Sequence, residues 1–151
     1  MAKTLFQMAN EWLNVLFRFH GRDKNGCDCV GLVIGVLHEN GLMSKQTFTA
    51  LNKIKYGTNL SKITNSMLFE KLLPYFTPTN IMAKTDLIII KTKNSPIHFA
   101  IYNHKTDEII HTTNEFGKVV KTIFDKNLSI TAKFTLKKNK KIIHQTTKNI
   151  I

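Results

Sequence analysis

Leu5, Met8, Ala9, Trp12, Leu13 and Leu16 recur at the three-to-four-residue spacing of one helical face. This predicts an amphipathic first helix that buries the stripe and ends near Arg18. The run RFHGRDKNGCD from Arg18 to Asp28 is polar and holds two glycines, and reads as a loop. From Val30 to Leu37 the chain is apolar on nearly every side, which predicts a buried central helix with Asp28 as its N-cap and Asn40-Gly41 as its stop. Gly31 and Gly35 each cost such a helix roughly 1 kcal/mol relative to Ala, a cost that the close approach of a sheet or another backbone would explain. Short helices are expected across residues 40–69, interrupted by turn signals at Tyr56-Gly57-Thr58-Asn59. A third solid helix is expected over Thr64–Tyr75, where Met67, Leu68, Leu72 and Tyr75 form a stripe and Pro74 clips the end.

After Thr79 the pattern changes from helical to extended. Asp86–Lys93, His98–Asn103, Glu108–Thr113, Lys118–Phe124 and Ser129–Lys137 are rich in β-branched and aromatic residues and are parted by short polar turns, which predicts five strands. A helical half followed by a meandering antiparallel half is an α+β arrangement. No internal repeat or Pro/Gly/Ser linker divides it, so residues 1–137 are read as one domain and residues 138–151 as a basic tail.

Composition supports a packed core, with 42% hydrophobic and 21% charged residues in a chain of 151. The charge adds a requirement: 22 Lys and Arg against 10 Asp and Glu leave +12, which asks for an acidic partner such as nucleic acid, an anionic membrane surface or a polyanionic wall polymer. Only Arg18 and Arg22 are arginines, and without the forked donors that read base edges, specific nucleic-acid recognition is disfavoured. Met1–Phe17 is broken by Gln7, Asn10, Glu11 and Asn14, unlike the uninterrupted apolar stretch of a signal peptide, and no run reaches the length of a membrane span. Synthesis in the cytoplasm without a signal peptide is therefore expected, with any target outside the cell reached through another machine's delivery. Cys27 and Cys29 are the only cysteines, so no disulfide framework staples distant segments.

Cys29 follows the expected N-cap at the first turn of the central helix. The free N–H groups and positive dipole end at that place favour a thiolate and lower the cysteine pKa, and the same N–H groups suit an oxyanion. A nucleophile needs a base and an orienting group. His98 opens one strand, and His111 lies on the next, across a turn at His104–Asp107, so a hairpin would place both on one face. Taken alone, Cys29 also suits a small buried hydrophobe. A zinc site made by Cys27, Cys29 and two histidines is the other alternative, but structural zinc sites usually space their cysteines by two to four residues.

The stretch FRFHGRDKNGCDCVGLV resembles the signature of the NlpC-type cell-wall peptidases, in which an aromatic–basic–aromatic stretch and a glycine-containing loop lead to Asp-Cys-small-Gly-Leu. SPIHFAIYNHKTDEIIHT resembles the second block of the same family, and TDLIII at Thr85–Ile90 the strand that precedes it. The GCDC form and the length are particularly similar to the phage and gene-transfer-agent members. The resemblance runs from about Trp12 to Phe134 and implies a papain-like fold, with the nucleophile at the start of a central helix packed on a roughly five-stranded antiparallel sheet. It implies Cys29 as nucleophile, His98 as general base and acid, and His111 as the residue that orients it. The implied reaction is hydrolysis of an amide in the stem peptides of bacterial peptidoglycan, without metal or organic cofactor, by a protein carried on a phage-like tail. Asp28, Phe17 and Val30 fall at substrate-contact positions. Phe17 stands where the family often has Tyr, Val30 where Ser is frequent and Thr85 where Gly is frequent. A catalytically silent tail or wall-binding protein with the same fold is the alternative implied.

Overall fold

The computed structural model describes residues 3–54, 70–92 and 97–137. The expected basic tail, the turn at Tyr56–Asn59 and the first half of the expected third helix, residues 64–69, lie outside them. Helix α1 (Leu5–Asn10) begins with a capping box, in which Thr4 and Gln7 exchange hydrogen bonds. It is shorter than the periodicity suggests. Asn14 turns into the left-handed region at φ 73°, and the chain then runs extended, pairing with residues 117–119 through Asn14 N–H to Val119 O, Val119 N–H to Val15 O and Phe17 N–H to Gly117 O. Trp12 keeps its place in the core just past the helix end.

The expected loop between the first two helices contains a small hairpin, β1 (Arg22–Asp23) and β2 (Gly26–Cys27). Helix α2 (Cys29–Glu39) follows as the buried central helix, capped by Asp28 Oδ1, which accepts from Gly31 N–H at 2.7 Å. Its end matches the expected stop, with Asn40 as C-cap and Gly41 at φ +72°. The two internal glycines are explained by the hairpin. A Cβ on Gly31 would run into the Gly21 carbonyl, and one on Gly35 would lie 2.5 Å from both the Arg22 carbonyl oxygen and Trp12. Helix α3 (Lys45–Asn52) starts at the Ser44 cap.

The remaining strands are β3 (Phe76–Pro78), β4 (Leu87–Lys91), β5 (His98–Asn103), β6 (Glu108–Thr112), β7 (Val119–Ile123) and β8 (Ser129–Leu136). They form an antiparallel six-stranded sheet in the order β3-β8-β4-β5-β6-β7. The five expected strands are present, and the sixth is a correction. Residues 70–72 are helical and Leu73–Tyr75 forms a 3₁₀ turn, and just past this end of the expected third helix Phe76–Pro78 pairs with the end of β8, which offers an open sheet edge. The sheet is apolar on both faces. Phe99, Ile101, Ile110, Leu87 and Ile89 pack with the helices, while Ile88, Ile90, Ala100, Tyr102, Ile109 and Phe124 form a second cluster. Among the described residues no helix is long and apolar enough to cross a membrane.

Candidate functional site

Period-2 alternation places His98 with Ala100 and Tyr102, and His111 with Ile109, on the sheet face opposite α2. Their rings meet there, with His98 Nε2 and His111 Nδ1 sharing a hydrogen bond at 2.8 Å. The other ring nitrogen of His111 lies 3.2 Å from Thr122 Oγ1 on β7. Phe116, from the turn between β6 and β7, packs edge-on against the His111 ring with centroids 5.1 Å apart. Both histidines are nearly buried, at 5% and 8% exposure, while Phe116 is 45% exposed.

Cys29 stands at the start of α2, on the helix side of the sheet, near the point where β5 outruns its pairing with β6. The ladder between β5 and β6 covers only Ile101–Asn103 with Glu108–Ile110. Tyr102 N–H turns toward β4, donating to Asp86 O at 2.8 Å, so the amides of Ile101 and Phe99, one and three residues back, turn the other way, toward β6. At Phe99 the β6 pairing has ended, and the backbone N–H groups of Phe99, Val30 and Cys29 itself favour the Cys29 thiolate. The Phe99 amide belongs to the peptide that joins it to His98, so the group that acts on the thiol lies at the start of β5.

The electrostatics reverse one expectation. The three N–H groups do favour the thiolate, as a helix N-terminus should, but burial and the neighbouring Asp28 carboxylate outweigh them, and the Cys29 thiol is pushed up to about 12. Burial, then the charge of His111, lowers His98 to about 4, and burial lowers His111 to about 4. At neutral pH the Cys29 thiol and both imidazoles are thus uncharged. Cys27, fully buried, is also pushed up to about 12 by burial and Asp28; both cysteines are free thiols.

The neutral histidines predict a particular acid response. Unfolded, each takes up a proton near pH 6.5; folded, each resists until about 4. The stability they supply is therefore complete above about pH 6.5 and falls as pH drops toward 4, by an amount on the order of a few kcal/mol for the pair. Asp86, raised by burial, works in the opposite sense. Urea unfolding at pH 7.5 and 4.5 measures the loss, and a His98→Gln/His111→Gln variant should show a flatter pH dependence.

The other expected site residues are placed as follows. Asp28 is buried and uses both carboxylate oxygens structurally, Oδ1 as the helix cap and Oδ2 accepting from His20 N–H at 2.8 Å, which ties down the preceding loop. Phe17 is half-buried and bridges to Cys27, its N–H donating to Gly117 O. Val30 is 1% exposed, with its side chain in the core, and its backbone N–H favours the Cys29 thiolate. Thr122, Phe116 and the Phe99 amide are contacts that sequence reasoning missed. The alternation of Val120 and Thr122 with Lys121 and Ile123 could have placed Thr122 on the histidine face, but only with the register of β6 and β7 in hand. Among the described residues no group of three or more His, Cys, Asp and Glu side chains could hold a metal ion. No family model and no curated protein matches this chain.

Proposed function

We propose that the protein is a cysteine peptidase or amidase of NlpC type that hydrolyses amide bonds in peptidoglycan stem peptides. The observation that carries this reading is the His98–His111 hydrogen bond, together with a cysteine at the first turn of α2 whose thiolate the Phe99 backbone favours. The wall substrate, the papain-like fold and delivery by a phage-like tail rest on the resemblance of the CDCVGLV and HFAIYN blocks. The +12 charge suits an anionic wall.

Because thiol and imidazole are both neutral at rest, His98 acts first as general base, taking the Cys29 proton as the sulfur attacks the amide carbonyl. The N–H groups at the start of α2 stabilise the oxyanion. His98 then delivers the proton to the leaving amine, and a water deprotonated by His98 releases the acyl group and restores the thiol. His111 holds the ring of His98 through its Nδ1. A wall-binding protein without activity is the second reading, favoured by the protonated Cys29 thiol.

Purified peptidoglycan incubated with the protein under reducing conditions separates the two. Soluble fragments with newly exposed amine and carboxyl ends in the stem peptide, identified by mass spectrometry, are expected. Binding to the wall with no new peptide ends between pH 5 and 8 would favour the silent protein.

A further inference from the structure

We propose that Thr122 is a positioning residue for this site, acting through His111 to set which nitrogen of His98 carries the proton. The inference rests on the reading of Cys29 as nucleophile and His98 as its base.

The contacts run in one line: His98 Nε2 to His111 Nδ1 at 2.8 Å, then His111 Nε2 to Thr122 Oγ1 at 3.2 Å. Each neutral imidazole has one N–H and one acceptor nitrogen. Only two self-consistent arrangements of protons satisfy both bonds. In the first, His111 donates from Nε2 to the Thr122 oxygen, so its Nδ1 accepts from His98 Nε2–H and leaves His98 Nδ1 with a free lone pair. In the second, the Thr122 hydroxyl donates to His111 Nε2, so His111 Nδ1–H donates to His98 Nε2 and the His98 proton sits on Nδ1.

Only the first arrangement can take a proton from Cys29. His98 Nε2 is committed to His111, so Nδ1 is the nitrogen that must accept, and it must be bare before attack. Thr122 holds this state when its oxygen accepts from His111 Nε2–H and its own hydroxyl hydrogen turns away from the ring. Its register supports the role. Thr122 pairs with Ile109 across the β6–β7 ladder, and this puts its side chain on the histidine face, diagonal to His111. After proton transfer, His98 is an imidazolium whose Nε2–H still donates to His111 Nδ1, so the chain need not reorganise during the step.

The test has one arm that does not depend on activity. In the full-length protein labelled with nitrogen-15, long-range proton–nitrogen correlation spectra report the protonated nitrogen of each histidine. Wild type is expected to show Nε2–H at both His98 and His111. Thr122→Val, which keeps the side-chain shape, should shift His111 toward a mixture of tautomers and lower kcat about tenfold, the worth of one hydrogen bond, with KM nearly unchanged. Thr122→Ser should restore both. Nδ1–H at either histidine in wild type would overturn the proposal. So would unchanged tautomers in Thr122→Val, or changed tautomers with unchanged kcat. If the protein hydrolyses no peptidoglycan, the peptidase reading fails, and the spectra still report whether Thr122 sets the histidine protons.

Discussion

Cys29→Ala is expected to abolish release of stem-peptide fragments, with a loss of about 10⁴-fold or more in kcat, as deletion of a nucleophile does elsewhere. The fold should persist. Cys29 is only partly buried, and removing one sulfur from its position should move stability by about 1 kcal/mol or less. Cys27 supplies the internal control, since it lies two residues away, is fully buried and has the same raised thiol pKa. Cys27→Ala should spare turnover. Rates of fragment release from peptidoglycan, set beside thermal melts of the two variants, check both statements. Comparable activity loss in the two would mean that the cysteines matter through packing.

Gly31→Ala is expected to destabilise the protein although helix propensity predicts the reverse. Replacing a helical glycine by Ala should gain up to about 1 kcal/mol from propensity. Here the new methyl would overlap the Gly21 carbonyl, and Asp28 Oδ1 lies 3.0 Å from the same point. Neither neighbour is a flexible side-chain end. The Gly21 carbonyl also accepts from Asp28 N–H, and Asp28 is the cap of α2. The hairpin must therefore lift from the helix, and overpacking of this kind costs roughly 1–3 kcal/mol or more. A net loss of about 2 kcal/mol or more in denaturant unfolding is expected, together with lower activity, because the shift falls at the turn that carries Cys29. A stabilised Gly31→Ala would refute this account of the glycine.

These residues show which parts of the fold were legible in the chain. Asp28, Asn40 and Gly41 act within one turn of α2, so the ends of the central helix could be read locally. The β-branched runs declared their strands, and period 2 with a hairpin pairing of β5 and β6 put His98 and His111 on one face. What could not be read depended on distant partners. The first helix stops early because residues 14–17 pair with 117–119, a contact across some hundred positions that helical periodicity does not register. The strand at Phe76–Pro78 exists because β8 offers an edge. The hairpin under α2 has two residues per strand, too few for any alternation to show. For the site, residue types and order were legible, but the sign of the Cys29 shift was not. A helix N-terminus is local and lowers the pKa, whereas the burial that overrides it comes from the assembled core.

The central claim is that Cys29 forms a covalent acyl intermediate with a stem peptide, and rapid acid quenching followed by mass spectrometry of the proteolysed protein tests it most directly. During turnover of a soluble muropeptide, the account predicts a thioester adduct on the peptide carrying Cys29, with the mass of the acyl half of the substrate, absent from Cys29→Ala. Undiminished fragment release by Cys29→Ala, with no adduct on the wild-type cysteine, would contradict it.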